Sequence, residues 1–190
     1  SKRYSAEDLE KEIQKKIEEG KYKNKEFISA YTEKIYKSNT DVTGVFSTTP
    51  INNNILMWSH YANSHKGFCV GFDSVKLFPY LGGGGNLGYS TQYPIVSPTD
   101  DRETQYRMQN FTKSNHWGYE VEYRLTTFQK TNIEIEIPKE VITEVIFGAR
   151  ISIEYKDVIK KLIKKDYPHV KCFSSIPDAK NFSLNICPDF

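Results

Sequence analysis

The sequence predicts an α+β fold, a mixed and largely antiparallel sheet with helices packed on it. Two observations carry this expectation. Short apolar or alternating runs at 42–47, 68–72, 119–128, 132–137, 141–147, 170–173 and 182–186 have the length and period of strands. These runs interleave irregularly with helix-periodic stretches and have hairpin-like neighbours, which disfavours regular βαβ alternation. The 190 residues suit one domain with a sizeable core, and neither an internal repeat nor a strong boundary divides them. The reading is a single domain over 1–190, with a helical part at 1–40 and a sheet-containing core at 41–190.

Two amphipathic helices open the chain. Ser5 is placed to cap the first, Leu9, Ile13 and Ile17 recur every four residues, and Gly20 ends it. The second spans about 24–36, with Phe27, Tyr31 and Ile35 on one stripe and a solvated Lys/Glu face opposite. After the strand at 42–47, the asparagines at 52–54 cap a short helix reaching Tyr61. Ile55, Trp58, Tyr61 and Ala62 form its apolar side, and Lys66-Gly67 stops it. The run at 68–72 reads as a buried strand.

Gly82 to Gly85 reads as a flexible surface loop. A nucleotide-binding glycine loop needs a strand before it and a helix after it, whereas residues 89–96 look extended. Asp100 and Glu103 form a capping-box pattern for a helix to about Asn115, broken by Trp117-Gly118. The segment 132–137 alternates, with Ile133, Ile135 and Ile137 on one face, and Pro138 turns the chain. Ser152 caps a helix whose buried side holds Tyr155, Val158, Ile159, Leu162 and Ile163.

Composition narrows the class. A net charge of +2 gives no case for nucleic-acid binding, although a local basic patch is compatible with it. The three cysteines, Cys69, Cys172 and Cys187, include no Cys-x-x-Cys pair, which argues against a disulfide framework and for a reducing, cytoplasmic compartment. No apolar run has the length of a membrane span, so no membrane partner is expected. The first residues are too charged for a signal peptide. Opening on Ser-Lys-Arg without an initiator Met, the chain is expected to lack an N-terminal portion of its parent protein.

Three constellations can carry chemistry. In a strand over 119–128, Tyr119, Val121, Tyr123 and Leu125 share one face, and Glu120, Glu122 and Arg124 share the other. Two carboxylates and a guanidinium in one row can do acid–base work, each tuning the others' pKa. The structural alternative is a solvated outer face with weak ion pairs. His60 and His65 flank a helix end five residues apart, not the four that suits metal ligation on a helix, and no metal site is expected. Each is a candidate base, or orders a turn. Cys69, inside an apolar strand, reads as packing. Ser47, Thr48 and Thr49 end a strand, where hydroxyls can fix a catalytic carboxylate or simply form a turn.

Several segments carry a resemblance. Phe46-Ser47, residues 55–62, 65–72, Lys113, Trp117, Tyr119-Glu120, Glu122, Arg124 and residues 145–150 resemble, in order, the bacterial family known as domain of unknown function 2971. The strings Met-Trp-Ser-His-Tyr-Ala and His-Lys-Gly-Phe-Cys are its most specific part. The resemblance implies a setting in bacterial phage defence and abortive infection. Members of that family usually begin with a strand bearing a Lys-Tyr-Arg-like motif and an Asn-Asp-Pro segment; Lys2-Arg3-Tyr4 only scrambles the first, and the second is not seen.

A more distant likeness is to mono-ADP-ribosyltransferases. Ser47-Thr48-Thr49 stands for their Ser-Thr-Ser element, and Glu120-Val121-Glu122 for Glu-x-Glu. The likeness implies an ADP-ribosyltransferase-like fold with NAD as co-substrate. It makes Glu122 and Glu120 catalytic. Glu122 would stabilise the oxocarbenium-like state as nicotinamide leaves, and Glu120 would orient or deprotonate the acceptor. Ser47 would steady Glu122, and Ser47, Thr48, His60, Trp117, Tyr119 and Arg124 would bind the cofactor. Trp117 or Tyr119 would stack on a ring, and His60 and Arg124 would contact the pyrophosphate. The expected function is an NAD-consuming toxin-like effector of phage defence, acting on a protein or nucleic-acid acceptor. The alternative is a non-enzymatic nucleotide- or protein-binding module, a sensor or antitoxin. An enzyme needs Glu122 in a concave pocket near Ser47 and His60, whereas a module pairs Glu122 with Arg124 on an open face.

Overall fold

A computed structural model describes residues 6–20, 25–97, 100–128 and 131–189. Helices α1 (Ala6–Glu18) and α2 (Lys25–Thr40) precede the sheets. Lys16 Nζ lies 5.2 Å over the Phe27 ring, which stacks on Tyr31 at 6.2 Å. Ile17 of the expected buried stripe is exposed. Ser5 and Asn24 fall outside the described residues.

The remaining elements are β1 (Thr43–Thr48), α3 (Ile55–Tyr61), β2 (Phe68–Phe72), α4 (Ser74–Leu81), β3 (Gly83–Asn86), β4 (Gly88–Ser90), α5 (Arg102–Asn110), β5 (Thr112–Ser114), β6 (Tyr123–Phe128), β7 (Ile142–Phe147), α6 (Ile153–Asp166), β8 (Lys171–Pro177) and β9 (Leu184–Pro188). The fold is α+β. Among the described residues the strands form three sheets, ordered β1-β6-β3, β2-β7-β8-β9 and β4-β5. Only β4–β5 and β7–β8 pair in parallel among the described residues, so antiparallel pairing predominates.

Strand β7 organises the core because its alternation serves both faces. Val145 and Phe147 pack with Ile159 and Ile163 of α6. Ile146, fully buried, packs with Trp58 of α3, Ala62 just after it and Leu184 of β9. A third cluster joins Leu77 and Leu81 of α4 to Leu125 of β6 and Val141. The Asn54 side chain caps α3 by accepting from the Leu56 and Met57 amides, as its sequence predicts.

The turn after α3 is tightly shaped. Asn63, Ser64 and His65 all have positive φ, at 48°, 54° and 67°. The turn docks on Gly148 and Arg150, whose amides donate to Gly67 O and His65 O at 2.9 Å each. A Cβ on Gly148 would lie 2.2 Å from His65 O, so only glycine admits this approach.

Several expectations need correction. The glycine run is strand, not a flexible loop: β3 pairs with β6, Gly84 opposite Leu125. A Cβ at Gly84 would meet Arg124 O at 2.7 Å and the Tyr123 ring at 2.9 Å, so the missing side chain lets β3 lie against β6. The cap of α5 is Asp101, which accepts from the Thr104 amide, and the helix ends at Asn110 because β5 and a 3-10 turn follow. Within 89–96 only the first two residues are strand. The segment 132–137 joins no sheet; Ile135 and Ile137 bury against the α4 cluster instead, and Ile133 is exposed. On α6 only Ile159 and Ile163 are buried, while Tyr155, Val158 and Leu162 face outward, because the sheet covers one narrow stripe of that helix.

Candidate functional site

The β1–β6 ladder sets Ser47 opposite Arg124 and Thr48 opposite Tyr123, which brings the end of β1 to the start of β6. The residues leading into β6 are not strand. Asn115–Glu120 is a 3-10 turn, and Val121 follows at φ 45°, ψ 49°, a left-handed conformation that is strained for a β-branched residue. The strand expected over 119–128 is therefore shortened to Tyr123–Phe128. The left-handed kink, and not strand alternation, is what brings Glu120 and Glu122 to a common partner.

That partner is Lys113 of β5. Its ammonium donates a short hydrogen bond to Glu120 Oε2 and a 3.0 Å bond to Glu122 Oε2. Arg124 Nε donates to Glu122 Oε1 at 2.9 Å, and its Nη1 donates to Asn110 O. Ser47 Oγ donates to Glu122 Oε1 at 2.6 Å, and Tyr61 OH to Glu120 Oε1 at 2.7 Å. The carboxylates are 3% and 4% exposed, which overturns the reading of a solvated face. Buried carboxylates persist when they are paired and hydrogen-bonded, and here two cations balance two anions.

The backbone of this segment is clamped as well. Thr49 Oγ1 donates to Glu120 O at 2.6 Å, Thr48 Oγ1 to Tyr123 O at 2.9 Å and Asn54 Nδ2 to Tyr119 O at 3.0 Å. The Glu122 amide donates to Tyr89 OH at 2.9 Å. Ser47-Thr48-Thr49 thus acts as one positioning strip, its first hydroxyl on a carboxylate and the next two on main-chain carbonyls.

Burial by itself would raise the Glu122 pKa, but the hydrogen bonds from Ser47, Arg124 and Lys113 outweigh it and hold the carboxyl below its ordinary value. Burial would likewise lower Lys113, and its bonds to Glu120 and Glu122 overcome this to raise it. Tyr61 is raised by its hydrogen bond to Glu120, then by burial. The result is an ionised Glu122 suited to stabilising positive charge.

An aromatic rim borders the network. Trp117 lies 6.1 Å from His60 and 6.0 Å from Tyr119, and His60 lies 6.4 Å from Tyr119. Lys113 Nζ sits 5.2 Å over the Trp117 ring. Tyr61, His60 and Trp117 are exposed, offering flat surfaces to a ligand.

Ser47, Glu120, Glu122 and Arg124 therefore meet in one network, with His60, Trp117 and Tyr119 beside it through ring contacts. Thr48 does not reach the carboxylates. The sequence assigns no role at the site to Tyr61 or Tyr89; Lys113 enters only through the family resemblance, Thr49 as the last position of the Ser-Thr-Ser-like element and Asn54 as a helix cap. Tyr61 stood on the expected apolar side of α3, and nothing local marked its hydroxyl. His65 orders the turn, with Nε2 3.1 Å from Ser59 Oγ and its ring over Trp58, so of the two histidines only His60 borders the site. The Cys69 thiol is pushed up by burial, then by Glu144, in keeping with packing.

A cavity of about 880 Å³ lies beside β1 and β6, but its walls are Phe46, Phe72, Leu77, Leu81, Leu125 and their neighbours. No residue of the ion network lines it. Among the described residues, no cluster of three or more His, Cys, Asp or Glu side chains could hold a metal, and no helix is long and apolar enough to cross a membrane.

Comparison with known proteins gives one partial match. Residues 57–82 match the family described as "Protein of unknown function (DUF2971)". This stretch runs from α3 through the positive-φ turn and β2 to the end of α4, and it includes His60 and Tyr61 of the rim. No curated protein and no solved structure matches the chain.

Proposed function

We propose that the chain is an ADP-ribosyltransferase-like enzyme that consumes NAD, acting as an effector in bacterial phage defence. The observation that carries the reading is the 2.6 Å bond from Ser47 to Glu122 across the β1–β6 ladder. It supplies the serine-steadied glutamate that such chemistry requires. In the reaction, the bond between ribose C1′ and the nicotinamide nitrogen breaks, and its electron pair leaves with nicotinamide. The ionised Glu122 stabilises the positive charge that develops on the ribose. Glu120 takes the proton of the attacking acceptor, whose nucleophilic atom bonds to C1′. Trp117, Tyr119 and His60 provide the stacking surface. Lys113 is the member that must move, since it covers Oε2 of both carboxylates.

The test is nicotinamide release from NAD in the presence of candidate protein and nucleic-acid acceptors, with Glu122→Gln assayed beside the native chain. Removing the charge should slow release by about 100-fold or more, with circular dichroism confirming that the variant is folded. Equal release from both, or none from the folded native chain, overturns the enzyme reading.

One observation favours a second reading, a non-enzymatic nucleotide- or protein-binding module. Glu122 is paired with both Arg124 and Lys113 and is nearly inaccessible. In that case Trp117→Ala abolishes nucleotide or partner capture while the native chain releases no nicotinamide. A chain that captures neither nucleotide nor protein removes the module reading.

A further inference from the structure

We propose that α6 is the seam of a homodimer, in which a second copy of the chain lays its own α6 antiparallel against this one about a two-fold axis at Val158. The sheet covers only the stripe of the helix that carries Ile159 and Ile163. Beside that stripe Tyr155, Val158 and Leu162, spaced i, i+3 and i+7, form a second apolar row. They are 49%, 62% and 53% exposed. Phe68 of β2, itself exposed, extends the row, its ring centre 6.4 Å from that of Tyr155. Single exposed apolar residues are ordinary, but a contiguous row of them marks an interaction surface.

The charges beside the row specify the occupant. Glu154, Lys161 and Lys165, spaced i, i+7 and i+11, follow its outer flank, the acid toward the N-terminal end and the bases toward the C-terminal end. Lys156 and Lys160 are engaged by Asp189, but among the described residues Glu154, Lys161 and Lys165 make no ion pair. Such a helix face is complementary to its own reverse. A two-fold axis across α6 inverts the helix direction and keeps the charged flank on the same side of the seam. Val158 then meets Val158 of the second copy, Tyr155 meets Leu162, and Glu154 falls between Lys161 and Lys165. A parallel pairing would instead set each charged flank against the apolar edge of the other copy. An anionic surface would draw the lysines but leave Glu154 unmatched. None of these residues belongs to the Ser47–Glu122 network, so the seam stands or falls independently of the enzymatic reading.

Sedimentation equilibrium of the full chain at up to about 100 μM is expected to show a reversible dimer. Val158→Arg sets two guanidinium groups on the axis and should weaken the dimer by about 100-fold or more. Val158 is exposed, so the fold should tolerate the change, and circular dichroism checks that it does. Glu154→Lys, and separately Lys161→Glu combined with Lys165→Glu, should each weaken self-association. Mixing these two variants should restore a dimer with one chain of each kind, because both ends of the seam then pair opposite charges. The proposal is overturned by a folded native chain that stays monomeric, by a dimer that survives Val158→Arg, or by a mixture of the charge variants that associates no better than either alone. A monomeric chain that binds phosphatidylglycerol vesicles, and loses that binding with Val158→Arg, overturns it as well and assigns the row to a membrane surface.

Discussion

Ser47 Oγ and Glu122 Oε1 stand 2.6 Å apart although 75 positions separate the residues in sequence. This contact ties the end of β1 to the entry of β6, and it makes the carboxylate's ionisation part of the folding equilibrium. Ser47→Ala should cost about 1–2 kcal/mol by urea denaturation, the range for a hydrogen bond to a charged group. A change below a few tenths would show that Arg124 and Lys113 hold Glu122 unaided.

Acid sensitivity follows from the same carboxylate. Glu122 has a folded pKa below its ordinary 4.5, so the folded state binds fewer protons than the unfolded state in the acid range. Its contribution is present above the unfolded pKa and is lost as pH falls through the folded one. Stability of the native chain should decline as pH drops below about 4.5, and Glu122→Gln should be weaker at neutral pH with a shallower decline. An equally steep acid limb in the variant counts against this assignment.

Lys113 joins two buried carboxylates, so its removal leaves uncompensated charge. Lys113→Met should destabilise the fold by about 3–5 kcal/mol, and adding Glu120→Gln should recover part of the loss. The raised Lys113 pKa gives the opposite pH sign: its contribution is complete below the unfolded value and fades as pH rises through the folded one. Denaturation curves for the single and double variants decide the matter. Additive losses would mean that the carboxylates do not share this lysine.

Tyr61 donates to Glu120, which raises the pKa of its phenol above 10. Ultraviolet titration of native chain and Tyr61→Phe should differ by a tyrosinate step above that value. The substitution should cost about 0.5–1.5 kcal/mol. A difference spectrum titrating at or below the ordinary value would remove the hydrogen bond.

The matched segment 57–82 depends on Gly148 from outside it. A Cβ there would lie 2.2 Å from His65 O and 2.7 Å from Gly67 O. Gly148→Ala should therefore destabilise by about 3 kcal/mol or more, read as a fall in the thermal midpoint. Gly83→Ala, where nothing lies within 4 Å of the added carbon, is the matched control and should be far milder. Comparable losses would show that close approach is not the cause.

Much of the architecture was legible because its causes are local. An apolar run marked β7, and its two faces hold Val145 with Phe147 and Ile146 as period two requires. Asn54 caps α3 and Ser152 caps α6 through hydrogen bonds to amides two or three residues on, distances a sequence can reveal. Glu120, Glu122 and Arg124 were visible as a charged cluster, but through a strand alternation that the molecule does not have. The left-handed Val121 replaces it, and a β-branched residue gives no hint of that conformation.

What the sequence by itself determined was the strands β1, β2 and β7, the caps of α3 and α6, and the crowding of polar and aromatic groups at 45–73 and 113–125. Only the tertiary structure decided that Glu120 and Glu122 are buried, that Lys113 and Tyr61 serve them, and that the glycine run is a strand. The physical reason is range. Periodicity and capping act within a few residues, whereas the protonation state of Glu122 depends on groups brought from β1, β5 and β6 by sheet pairing and the adjoining turn. Burial then fixes the demand for those partners, because a carboxylate removed from water must be paired.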